Sequence, residues 1–228
     1  MWVFPLLASG VAFVFAGRLF ADYARRRQPY QLAWAIALAM YGVASFVVVL
    51  GGLDGWSDRE FAVYWALGAV LNVPFLAGGE LMLLVRNEAF RWAVWLVLIF
   101  LTAYTVTTLN GAEFSIGALA ERLPSGKDVF GDGSSAHRLP QLISIPSYVV
   151  LVAGALWSAW RMRGRPELRD RSIGTLLIAV GATVIAGFGS AFAAVGNMPG
   201  FSISLLVGIA VMFAGFLRAS RRREPAPA

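Results

Sequence analysis

Apolar positions gather into seven long blocks, residues 2–20, 31–52, 61–85, 90–109, 142–160, 172–195 and 201–217, and the charges fall in the stretches between them. Each block is close to the roughly 20 residues a helix needs to cross about 30 Å of hydrocarbon. The pattern predicts an all-α membrane protein, a seven-transmembrane-helix bundle over residues 1–218, with one long connection, 110–141, at one end. Residues 219–228 read as a basic, then Pro/Ala-rich tail, expected to be disordered. Composition sharpens this reading: 58% of residues are hydrophobic and 14% charged, which leaves one bundle and no soluble domain.

Charge orients the bundle. Fifteen of the nineteen basic residues flank the odd-to-even connections or the C-terminus, and only Arg59, Arg122, Lys127 and Arg138 lie at the other end. By the positive-inside rule the N-terminus is expected outside and the C-terminus in the cytoplasm of a plasma membrane. The first block has no positive charge before it and many after it, the reverse of a secretory signal, so it reads as a span. The arginines are expected to meet anionic lipid headgroups rather than nucleic acid. Arg18 and Asp22 are spaced for a weak i,i+4 pair.

The third block carries the candidate chemistry. Pro74 has no amide proton, so inside a helix it frees the carbonyl of Val70 and bends the backbone, and in hydrocarbon that carbonyl needs a donor. Asn72 could supply one, as part of a kink, or could line a site. Glu80 lies six residues before Arg86, which places its Cα roughly 9 Å inside the end of the span. It either snorkels to the interface or pairs with an arginine, or it faces the bundle interior as a ligand or coupling-ion group. Tyr41 in the second block reads as a buried hydrogen-bonded side chain, and is a further ligand candidate.

The connection 110–141 holds Lys127, Asp128, His137 and Arg138, with an amphipathic piece, 114–123, that reads as an interfacial helix over the bundle mouth. It is either a lid or an inert loop. Threonines 102, 105, 107 and 108 either bond back to their own helix or line a wet vestibule. The sixth block has two rows of small residues at four-residue spacing, Ala182, Ala186, Ser190 and Ala194 beside Thr175, Ala179, Thr183, Gly187 and Ala191, expected to pack closely in the core. An internal echo at an offset of 137 residues matches Ala16-Gly17-x-Leu19 to Ala153-Gly154-x-Leu156, and Ala77-Gly78 to Ala214-Gly215, which suggests parallel three-helix halves joined by the fourth helix.

The chain has no cysteine and one histidine, so thiolate, haem-pair and His-cluster zinc chemistry are not expected; no metal, no cofactor and no enzyme activity are inferred. The run FAVYWALGAVLNVPFLAG over 61–78, RQPYQLAW over 27–34 and FAGFLRA over 213–219 resemble a group of uncharacterised seven-helix membrane proteins of high-GC Gram-positive bacteria. That resemblance implies a bacterial source and a plasma-membrane location but no activity. A fainter likeness to microbial rhodopsins stops at the seventh block, which lacks a lysine for a retinal Schiff base, and the proline-glutamine signature of small parallel-repeat sugar transporters is absent. The leading functional expectation is a non-enzymatic ligand- or partner-binding, sensing bundle. Alternatives are a small-solute or proton-coupled transporter using the kinked third helix, and an accessory subunit that docks another membrane protein or a second copy.

Overall fold

The computed structural model describes residues 2–85 and 87–220. Arg86, the expected inner end of the third span, and residues 221–228 of the expected disordered tail lie outside the described residues. Seven helices are long and apolar enough to cross a membrane: α1 Val3–Arg26, α2 Pro29–Asp54, α3 Asp58–Leu84, α4 Glu88–Asn110, α5 Ser135–Arg161, α6 Arg169–Ala194 and α7 Met198–Ala219. No strand occurs among the described residues. The chain is an all-α, multi-pass membrane protein.

Local chemistry sets the helix ends. α1 stops at Arg27, which takes a left-handed conformation (φ 51°) and turns its amide back onto the Tyr23 carbonyl. Pro29 opens α2 with its φ already helical. Ser57 and Glu60 form a reciprocal capping box that starts α3, so the turn before it shrinks to residues 55–57. Asn87 caps α4 through the amide of Phe90.

α1, α2, α3, α5, α6 and α7 pack in that order, and α7 closes on α1. α4 sits outside this ring and shares a small separate core with α2 and α3, made of Ala33, Ala37, Phe75, Met82, Val94 and Leu98. The hydroxyls of Thr102 and Thr105 bond to the carbonyls of Leu98 and Leu101 in the same helix, which is the structural alternative for those threonines. Arg18 forms no pair with Asp22; its guanidinium lies 5.8 Å from the Phe213 ring centroid on α7.

The small rows predicted on α6 do not make its tight contact. Thr183, Gly187, Ser190, Ala191 and Ala194 are exposed on the bundle's outer surface, and only Ala179 and Ala182 are buried. The close approach belongs to glycines seven apart: Gly174 and Gly181 on α6 meet Gly215 and Gly208 on α7. A Cβ on Gly215 would lie 2.6 Å from the Gly174 carbonyl oxygen, and one on Gly208 would lie 2.8 Å from that of Gly181. Two antiparallel backbones therefore touch twice, two turns apart.

The long connection is a folded cap. Leu119, Leu123, Val129 and Phe130 join the main core cluster, and Phe130 packs on Phe61, Trp65 and Phe114. The amphipathic piece forms a single helical turn, Ile116–Leu119, instead of an interfacial helix over 114–123. The helix after it begins at Ser135, not at 142, because Ser134 caps the amide of His137. His137 and Arg138 thus stand on the first turn of α5, not in a loop.

Candidate functional site

Pro74 interrupts α3, and the turn before it, Trp65–Leu71, opens into a π-helical stretch. The carbonyl that the proline frees is taken by α5: Ser144 Oγ donates to Val70 O at 2.9 Å and lies 2.7 Å from Ala69 O, so one proton is divided between two acceptors. The same arrangement runs the other way. Pro140 interrupts α5 at a second π-helical stretch, Pro140–Ser144, and frees the carbonyl of Ala136. Trp65 Nε1 on α3 donates to that oxygen at 2.9 Å. Each helix satisfies the carbonyl orphaned by the other's proline.

Asn72 is not that donor. Its side chain is buried and its Oδ1 has no hydrogen-bond partner among the described residues. Trp34 on α2 makes one more contact with the α3 backbone, donating from Nε1 to Leu76 O at 3.0 Å. α3 is therefore held by side-chain donors from both neighbours in the ring.

Toward the arginine-rich end of the same seam, Glu80 is 4% exposed and faces α5. Ser158 Oγ donates to its Oε1 at 3.1 Å. Gly154, one turn earlier on α5, supplies the room: a Cβ there would come within 2.6 Å of Glu80 Cγ. Arg171 on α6 forms no ion pair with Glu80. Glu80 does not snorkel: it is held inside the bundle by a serine, and no arginine among the described residues forms an ion pair with it.

Tyr41 is buried, and its hydroxyl donates to the Leu205 carbonyl on α7 at 2.8 Å, which ties α2 across the ring interior. In the cap, Lys127 pairs with Asp132 at 3.3 Å on the open surface. Asp128 is spent on local geometry, accepting from Ser125 Oγ at 2.6 Å while its amide donates back to that oxygen at 3.2 Å. Arg138 is exposed beside Gly133, and the Nδ1 of half-buried His137 has no hydrogen-bond partner among the described residues.

Trp65, Ser144, Gly154 and Ser158 were not legible as site residues. A signal was present in the sequence: a proline inside an apolar block orphans the carbonyl four residues earlier, and a facing block must hold a donor. Neither the concavity between α1 and α2 nor the one bounded by Thr108, Glu113 and Ser134 reaches Glu80 or Asn72. No family model, no curated protein and no solved structure matches the chain.

Proposed function

We propose that the chain is a non-enzymatic sensing bundle of a bacterial plasma membrane, in which the cap engages a ligand or partner and the α3–α5 seam carries the response toward the arginine-rich end. The observation that carries this reading is the Trp65 to Ala136 bond: the cap end, the π-helical stretch of α3 and the start of α5 share one hydrogen bond. The Trp65 ring also lies against Gly126 of the cap, so a displaced cap disturbs the place where α3 leaves regular helical geometry. Seam-borne change would reach Glu80 and Ser158 through the same two helices.

The test is thermal unfolding of the purified protein across a solute library. A solute that raises the midpoint should lose its effect when residues 113–133 are replaced by a short Gly/Ser linker. Stabilisation that survives the replacement rejects the cap as the binding element. Orientation is tested separately, because the cysteine-free chain accepts single labels: Gly117→Cys should react with an impermeant maleimide on intact cells and Ala228→Cys should not. The reverse pattern overturns an outside N-terminus.

A second reading, a small-solute or proton-coupled transporter, is favoured by one feature, a carboxyl group buried in a membrane-spanning seam with a hydroxyl as its partner. Under it, Glu80→Gln abolishes pH-dependent uptake in proteoliposomes while the unfolding midpoint is kept, and unchanged uptake rejects Glu80 as the coupling group. Under this reading α4, which lies outside the six-helix ring, would link two three-helix halves. An accessory role, docking a membrane partner through α6, is supported by the exposed small row there.

A further inference from the structure

A lateral groove opens between α1 and α2, bounded by Phe13, Gly17 and Phe20 on one side and Leu32, Ile36 and Ala39 on the other, with a volume of about 360 Å³. The remaining wall is alanine, so no polar side chain lines it. Its deep end is closed by Phe13, whose ring lies against Gly42. Its flank is open at Gly17, where an added Cβ would meet nothing within 4 Å. From Phe13 to Phe20 the groove runs about 10 Å along the helix axis toward the α1–α2 turn.

That turn carries Arg25, Arg26 and Arg27, all exposed, and none of them forms an ion pair among the described residues. The guanidinium of Arg27, the residue at which α1 ends, sits 5.7 Å from the Tyr23 ring centroid, and that ring lies 6.3 Å from the ring of Phe20 at the groove's edge. Asp22, half-buried, is the only acidic residue of α1. An apolar channel open to the hydrocarbon thus leads to three unpaired cations at the helix ends, where headgroup phosphates lie. We propose that the groove holds an acyl chain of one anionic phospholipid whose phosphate is met by Arg27 and its two neighbours. The charge at the mouth selects an anionic headgroup, and the unbroken apolar wall selects a hydrocarbon chain over a peptide with its polar backbone. This site is independent of the sensing reading and of which end faces the cytoplasm.

The test uses the full chain in uncharged detergent, titrated with dioleoylphosphatidylglycerol or dioleoylphosphatidylcholine, with the unfolding midpoint and the lipids retained in native mass spectra as readouts. The anionic lipid is expected to half-saturate the stabilisation at an about tenfold lower fraction than the zwitterionic one, with one lipid retained. Gly17→Leu, whose Cβ meets nothing within 4 Å and whose branched end would occupy the groove, should abolish retention, and Arg26→Gln with Arg27→Gln should erase the headgroup preference. Neutralising Arg163 and Arg165 on the α5–α6 turn should leave both readouts unchanged. Equal binding of the two lipids, retention in Gly17→Leu, or loss that follows the Arg163 and Arg165 changes overturns the proposal. If Gly17→Leu does not fold, the Arg26 and Arg27 variant decides: a preference that persists there also overturns it. Full stabilisation by glycerophosphoglycerol, which has no chains, refutes the groove.

Discussion

Where α6 meets α7, two backbones touch through four glycines; where α3 meets α5, a tryptophan and two serines bridge the helices. The first contact is steric and needs no polar group. The second is made of donors reaching oxygens that would otherwise be orphaned in hydrocarbon, and it runs the length of both helices. The difference is one of tolerance. A glycine contact rejects any added side chain, because its limit is the neighbour's backbone, which has nowhere to move. A hydrogen-bonded seam instead loses a discrete amount for each donor removed, and its π-helical stretches mark where the backbone already departs from regular geometry.

The comparison breaks hardest at the glycines. Gly208→Leu should cost about 3 kcal/mol or more in denaturant unfolding from micelles, since its side chain would be driven into Ile185 and the Gly181 carbonyl. A loss well below that would show that α6 and α7 separate easily. At the seam, Ser144→Ala and Trp65→Phe should each cost about 1 kcal/mol, the worth of a hydrogen bond in a membrane interior plus part of the penalty for an unpaired carbonyl.

The reciprocal pairing can be sharpened with a double-mutant cycle. In a Pro74→Ala background residue 74 regains an amide donor for Val70 O, so Ser144→Ala should lose most of its effect, and purely additive losses would remove the proline from the explanation. Tyr41→Phe, which deletes a cross-ring bond but keeps the ring, should have the smallest effect, about 0.6 kcal/mol.

Much of the fold is legible in the sequence. Seven apolar blocks became seven helices, Pro74 did orphan a carbonyl at Val70, and Tyr41 is the buried hydrogen-bonded side chain its surroundings suggested. The misreadings share a cause. The α6 rows that looked like core packing are largely exposed, while Gly174 and Gly181 went unnoticed, because in a bilayer small and apolar residues suit both the helix contact and the lipid face. Glu80 could be placed along the span by counting residues, but whether it looked to lipid, to an arginine or to Ser158 depended on how α3 is rotated against α5. The start of α5 is not marked by an apolar run, since 135–141 carry Ser135, His137, Arg138 and Gln141, and two prolines, Pro140 and Pro146, fall within its first twelve residues. The helix runs through them with the help of a π-helical stretch and a tryptophan from another element.

The sequence by itself determined how many times the chain crosses hydrophobic thickness and which carbonyls would lack partners, because both follow from summed hydropathy and from the chemistry of proline, which act along a single segment. Only the tertiary structure decided which donors answer those carbonyls, which glycines touch and what Glu80 faces. Hydrocarbon is as apolar as a protein core, so these helices carry no polar stripe to mark their inward side, and helix rotation is settled by contacts between segments far apart in the chain.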